Sequence, residues 1–132
     1  MTLYDSSVLI DYLDGTETAV EYVEANLDER ALAPQLALFE VYQGEVFKSG
    51  PADFGAVDGA LGWLTPVTDS EDVARSAAEL QRTLDQQGDA LAARDAFIAG
   101  AAIAHDERLA VADSDFDVEG VTDYVDVDIL CE

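Results

Sequence analysis

Positively charged residues are scarce in this sequence. Six Lys plus Arg stand against 29 Asp plus Glu, which gives a formal net charge of −23, and Lys48 is the only lysine. A hydrophobic content of 49% argues against the disorder that such charge often brings. The balance is typical of a protein adapted to a salt-rich cytoplasm, because the Debye length falls to about 3 Å at 1 M salt. At such salt the net charge does not exclude an RNA substrate.

Cysteine is also nearly absent. Cys131 is the only one, so no internal disulfide can form, and an intracellular setting follows. The sequence has no run of about 18 apolar residues and no basic segment leading into an apolar stretch at its start. We therefore expect a soluble cytoplasmic protein without a membrane segment, folded as one domain over residues 1–132.

Short apolar runs alternate with segments of helical spacing along the whole sequence. The predicted strands are 2–4, 31–33, 109–112 and an alternating final strand over 121–130. Residues 63–67 contain Pro66 and are predicted as an edge strand or an extended connector. Helical spacing covers 8–13, 16–29, 34–47, 54–61, 69–87 and a segment that begins near 95. Strands that alternate with helices predict an α/β fold, a three-layer α/β/α sandwich on a mainly parallel sheet.

Four acidic residues stand out by position. Asp5 ends the first predicted strand, where an N-cap is the ordinary alternative, and Asp113 ends the strand over 109–112. Glu40 lies in the helix after the second strand, and Asp95 begins a helix whose dipole favours a carboxylate. Strand ends and helix starts meet at one edge of a parallel sheet, so we expect these four side chains to converge.

Converging carboxylates repel one another unless a cation lies between them. Basic residues are too few in this sequence to supply many such cations. Hard divalent ions prefer carboxylate oxygens and water as ligands. The pattern therefore predicts a Mg²⁺ or Mn²⁺ site.

Four segments carry a more specific signal: YDSSVLIDYL, LALFEVYQG, DAFIAGAAI and LAVADSDF, in that order. Together they resemble the acidic motifs of the PIN domain, and more narrowly those of VapC toxins from toxin–antitoxin pairs. The resemblance covers essentially all of the sequence. The first and third segments are the most specific of the four.

The resemblance implies a metal-dependent endoribonuclease that leaves a 5′-phosphate and a 3′-hydroxyl. Asp5, Glu40, Asp95 and Asp113 match the catalytic and metal-binding quartet, and Ser6 matches a hydroxyl that often supports the first carboxylate. The fourth segment departs from the family because Val111 and Ala112 replace the usual Thr and polar residue. Asp115 matches a further acid that assists or substitutes for Asp113.

The resemblance also implies partners: RNA as substrate, a cognate antitoxin protein, and a second copy of the chain in a homodimer. An antitoxin that donates an Arg to the acidic quartet is electrostatically sensible. The alternative hypothesis is a PIN-like RNA-processing or RNA-binding protein that is inactive or has no toxin role. A small adjacent gene that encodes a DNA-binding protein with a partly disordered tail would favour the toxin hypothesis, and its absence would favour the RNA-processing one.

Other interpretations of these residues are weaker. An EF-hand loop opening at Asp113 needs Gly where Val118 stands, and a receiver domain needs a lysine at a late strand end. We expect His105 to interact with a helix end rather than with a metal. Arg94, next to Asp95, suits an ordinary helix ion pair and contact with a phosphate equally well.

Overall fold

The computed structural model describes residues 1–68, 70–112, 116 and 119–130. The strands are β1 (Thr2–Tyr4), β2 (Ala31–Pro34), β3 (Thr65–Val67), β4 (Arg108–Val111) and β5 (Val127–Ile129). The helices are α1 (Ser6–Leu13), α2 (Glu17–Ala25), α3 (Gln35–Phe47), α4 (Phe54–Ala60), α5 (Glu71–Gln86), α6 (Ala93–His105) and α7 (Glu119–Thr122).

The strands form one sheet in the order β3-β2-β1-β4-β5, and every neighbouring pair is parallel. Central β1 pairs with β2 on one side and β4 on the other, so that Thr2 faces both Ala31 and Arg108. The chain builds outward from β1 to β3, then crosses to the other side of β1. The order therefore reverses between β1 and β4, which is where open α/β sheets form ligand-binding crevices.

Hydrophobic cores cover both faces of the sheet. Leu3 and Leu109 belong to a cluster with apolar residues of α5 and α6, whereas Tyr4 and Ala110 belong to a cluster with residues of α1 to α4. Successive strand residues point to opposite faces, so each short strand contributes to both cores. The predicted three-layer α/β/α sandwich is confirmed.

Helices α5 and α6 pack closely because α6 carries a glycine at their contact. A Cβ added to Gly100 would lie 2.6 Å from the backbone and Cβ of Ala77 on α5. Real Cβ atoms do not approach other atoms so closely, and a backbone neighbour moves only with its helix. Gly100 is thus required for the close spacing between α5 and α6, the helix that carries Asp95 in its first turn.

The structure corrects two predicted boundaries. The strand predicted over 121–130 is wrong at its start, because α7 ends at Thr122 and β5 occupies only Val127–Ile129. Val121 and Val125 are buried four residues apart, which is helical spacing, and strict alternation begins only after them. The helix predicted over 16–29 ends at Ala25.

Apolar residues of α3 do not all face the core. Ala37 and Val41 are its buried residues, whereas Phe39, Val46 and Phe47 are exposed. A three-layer domain buries one stripe of a surface helix, so a second apolar stripe lies open to solvent.

The longest helix, α5, has 16 residues and a polar outer face. Within the described ranges, no helix combines the length and the hydrophobicity that crossing a bilayer requires.

We predict that Gly100→Ala destabilises the protein. Overpacking typically costs about 1–3 kcal/mol, which exceeds the roughly 1 kcal/mol that Ala gains over Gly in a helix. The matched control is Gly44→Ala in α3, where an added Cβ meets nothing within 4 Å. Urea unfolding at constant high salt should show a lower free energy of unfolding for Gly100→Ala and a higher one for Gly44→Ala. Equal stabilisation by both would contradict the close packing.

Candidate functional site

Asp5 lies at the carboxyl end of β1, beside the point where the strand order reverses. Its backbone N–H donates to the carbonyl of Ala110, so the pairing with β4 holds its backbone in place. The side chain caps α1, with Oδ2 3.4 Å from the Ser7 nitrogen, and the residue is 1% exposed. The N-cap expected as the ordinary alternative is therefore real, and it leaves Oδ1 free for a second contact.

Ser7 connects Asp5 to the end of β4. Its hydroxyl donates to Asp5 Oδ2 at 2.6 Å and accepts the backbone N–H of Ala112 at 2.9 Å. Ser6, which was predicted to support Asp5, points elsewhere and donates to Glu40 Oε1 at 3.0 Å. The hydroxyl that holds Asp5 is thus on Ser7, because the second helical position faces back toward the cap.

Glu40 and Asp95 reach the same edge from two helices. Glu40 lies in the second turn of α3, which follows β2 directly, and Asp95 lies in the first turn of α6. Asp95 is buried, at 8% exposed, and its carboxylate lies near the positive end of the α6 dipole. Both acids approach the crevice next to Asp5.

Arg94 lies between the three acids. Its Nη2 is 2.6 Å from Asp5 Oδ1 and 2.5 Å from Glu40 Oε1, and its Nη1 is 2.9 Å from Asp95 Oδ1. The same Nη2 donates to Ser6 Oγ at 2.8 Å. One guanidinium therefore contacts three of the four predicted carboxylates, Asp5, Glu40 and Asp95, which places these three within one side chain's reach of each other.

These contacts determine the charge state of the cluster. Burial raises the pKa of Glu40, but the hydrogen bonds and charge of Arg94 outweigh burial and hold that pKa below its usual value. Burial opposes the charge of Arg94 as well, yet Glu40, Asp5 and Asp95 raise its pKa above the ordinary one. The ion pair between Arg94 and Glu40 thus persists at neutral pH.

Two predicted acids, Asp113 and Asp115, lie outside the described residues. Ala112, immediately before Asp113 in the chain, is described, and its N–H donates a hydrogen bond to the Ser7 hydroxyl. Phe116 is fully buried in the core under α5 and α6.

His105 ends α6, at the opposite end from Asp95. Asp95 and His105 are ten positions apart along α6, or about 15 Å along the helix axis. We therefore leave this histidine out of the site.

Three carboxylates on separate elements are the donor set that suits a hard divalent cation. Their present spacing accommodates a guanidinium instead, and no three of the described His, Cys, Asp and Glu side chains converge on a metal position. The residues thus fit a metal in type and number, while Arg94 holds the place of the cation.

Comparison with known proteins gives the family. Residues 2–119 match the model of the PIN domain. The chain belongs to the PIN domain family. PIN domains are generally nucleases, and they generally depend on divalent metal ions. No curated protein matches this PIN domain in sequence.

Solved structures share its fold over nearly the whole chain. VapBC2 from Rickettsia felis, bound to a promoter DNA fragment, superposes with a TM-score of 0.82 at 16% identity, over 97% of each chain. FitAcB from Neisseria gonorrhoeae gives 0.81 at 20% identity, over 96% of each chain. A toxin–antitoxin complex from Klebsiella pneumoniae gives 0.78 at 22% identity, over 100% and 99% of the two chains. At these identities the likeness concerns the fold.

We predict that Ser7→Ala destabilises this PIN domain more than Ser6→Ala does. Removing the Ser7 hydroxyl leaves a buried Asp5 oxygen and the Ala112 N–H short of a partner, which costs about 1–3 kcal/mol. Glu40 keeps Arg94 when Ser6 is truncated, so the loss there is smaller. Denaturant unfolding of both variants measures the difference. A larger loss for Ser6→Ala would contradict the assigned contacts.

Proposed function

We propose that this PIN domain is a metal-dependent endoribonuclease, the VapC-like toxin of a toxin–antitoxin pair. The observation that carries the proposal is that Asp5, Glu40 and Asp95 meet around one positive group, the Arg94 guanidinium. They come from positions 5, 40 and 95, and only the fold brings them together. Membership of a family of nucleases supports the hydrolytic role.

Asp5 and Asp95 are the direct ligands in this proposal, Glu40 shares the ion or reaches it through water, and Asp113 completes the set, with Asp115 as an assisting acid. When bound there, Mg²⁺ or Mn²⁺ lowers the pKa of a coordinated water and neutralises charge on the phosphodiester. Asp5 is held by Ser7 and the start of α1, and Asp95 by the first turn of α6. The backbone that carries each carboxylate is therefore already in position, and such preorganised charge favours catalysis.

RNA is the proposed substrate, in spite of the net charge of −23. Long-range repulsion between two polyanions is screened at molar salt, so contacts within the crevice determine binding. A Mn²⁺-dependent cut that leaves a 5′-phosphate is the expected reaction.

We predict that Asp5→Asn and Asp95→Asn abolish RNA cleavage, because an amide oxygen carries no charge to share a divalent ion. Purified protein is incubated with total RNA at high salt, with Mn²⁺ or with chelator, and the new ends are mapped. Circular dichroism verifies that each variant is folded. Asp89→Asn, at an exposed site, is the matched control and should cut like the unsubstituted protein.

Wild-type cleavage by either active-site variant would show that the acids are misassigned. Binding of RNA without any cut, in the presence of Mn²⁺, would favour the alternative of an inactive PIN-like RNA-processing or RNA-binding protein.

We propose an antitoxin as the partner, covering the apolar face of α3 and α4. The apolar face consists of Phe39, Tyr42, Val46, Phe47 and Phe54, and it surrounds a groove of about 570 Å³. Phe47 is 77% exposed, and Tyr42 and Phe54 stack edge to face at 5.2 Å. Exposed apolar patches of this kind mark protein interfaces.

An antitoxin segment suits this face better than a second copy of the chain. Phe39 of the apolar face and Glu40 of the crevice are both on α3, so we expect one antitoxin segment to contact both. A partner that brings basic residues pairs with the acidic crevice at contact distance, whereas a second copy of this chain, with six Lys plus Arg, offers few such residues. VapBC from Salmonella typhimurium and the Klebsiella toxin–antitoxin complex are among the similar folds. The homodimer remains a separate prediction, which light scattering measures.

We predict that Phe47→Ser weakens antitoxin binding at least tenfold, since truncating a buried aromatic anchor commonly costs about 2 kcal/mol or more. The candidate antitoxin is the product of any small adjacent gene that encodes a DNA-binding protein; it is co-expressed, and titration calorimetry measures its affinity. Leu27→Ser, at another exposed apolar site, is the matched control and should leave the affinity unchanged. Loss of a dimer in light scattering, with unchanged antitoxin affinity, would assign the face to a second copy instead.

A further inference from the structure

Arg94 differs from every other basic residue of the chain. Among the residues that the structure describes, the other Lys and Arg side chains each contact one or two carboxylates away from the crevice. The pairs are Arg30 with Glu107, Lys48 with Glu45, Arg75 with Glu71, Arg82 with Glu79, and Arg108 with Glu29 and Asp128. Arg94 contacts three carboxylates that come from three different elements. A helix ion pair with its neighbour Asp95 explains only one of these contacts.

The guanidinium uses the oxygens that a metal ion would need. Asp5 Oδ1 accepts from Nη2 at 2.6 Å, Asp95 Oδ1 accepts from Nη1, and both Glu40 oxygens accept from Nε. A Mg²⁺ ion requires its oxygen ligands at about 2.0–2.1 Å, nearer than any of these nitrogens and in the same place. A metal ion that takes these same oxygens as ligands therefore requires the guanidinium to leave them.

The Arg94 side chain has a way out of the cluster. It is 30% exposed, and Arg94 is the second residue of α6, so rotation about its own side-chain bonds moves the guanidinium to solvent. The helix and Asp95 stay in place during that movement. Asp5 also stays, because Ser7 and the α1 backbone hold its other oxygen.

We propose that Arg94 is a built-in counter-ion that a divalent metal must displace before it can bind Asp5, Glu40 and Asp95. In its inward position Arg94 offsets part of the negative charge of the three carboxylates and stabilises the metal-free protein. In its outward position it leaves the carboxylates to the ion. The inference deepens the proposed function, from which it takes the metal site. Its consequence is a weakened metal affinity, because only molecules with Arg94 outward are competent to bind.

Two variants and a control test the displacement by calorimetric titration with Mn²⁺ at constant high salt. Arg94→Gln should bind Mn²⁺ at least about tenfold more tightly than the unsubstituted protein, since no competent fraction is lost to the inward position. Arg94→Lys, whose ammonium cannot make the same fork of contacts, should fall between the two. Arg75→Gln removes one positive charge from the surface of α5 and should leave the affinity unchanged.

Thermal melting gives a second readout that is independent of activity. With chelator, Arg94→Gln should melt several degrees below the unsubstituted protein, because three carboxylates lose their counter-ion. Saturating Mn²⁺ should remove that difference. If Arg94→Gln does not fold without metal, Arg94→Lys and its Mn²⁺-dependent melting shift supply the same comparison.

The outcomes separate this inference from the function on which it rests. Equal or weaker Mn²⁺ affinity in Arg94→Gln, beside measurable binding by the unsubstituted protein, overturns the displacement and leaves the nuclease proposal standing. Absence of Mn²⁺ binding in both proteins overturns the metal site, and the displacement fails with it.

Discussion

The attraction between one guanidinium and three carboxylates dominates the carboxyl edge of this sheet. Like charges held so close raise each other's energy unless a cation lies among them, and burial of Asp5 and Asp95 makes the requirement stricter. Arg94 meets it within the chain. The arginine in this place belongs to the chain itself, whereas the sequence hypothesis assigns it to an antitoxin.

The parallel sheet explains why residues so distant in sequence meet. Asp5 leaves β1 where the strand order reverses, α3 brings Glu40 in after β2, and α6 enters with Asp95 before returning to β4. Helix α6, which carries Asp95, packs closely on α5 because Gly100 has no side chain at the contact with Ala77. The site is thus a consequence of topology and packing rather than of any local motif.

The positions of Asp5 and Asp95 are predictable from sequence, because they depend only on where a strand ends and where a helix begins. A buried strand ending at Asp5 and a helix opening at Asp95 were visible from apolar spacing, and their convergence followed from the rule for parallel sheets. The partner of each hydroxyl was not predictable, because Ser6 and Ser7 differ only in the direction that the first helical turn gives them. Arg94 looked local for a similar reason, since its contacts to Asp5 and Glu40 exist only in the folded molecule. The exposed face of α3 escaped notice because periodicity does not tell which of two apolar stripes the core covers.

In the proposed mechanism these carboxylates hold one shared divalent ion once Arg94 has moved away. A crystal grown with Mn²⁺, with anomalous scattering recorded to locate the metal, tests it most directly. We expect one strong anomalous peak bordered by Asp5, Glu40 and Asp95, with the guanidinium of Arg94 turned to solvent. A map in which Arg94 still bridges the three carboxylates, and Mn²⁺ binds elsewhere or not at all, would contradict it.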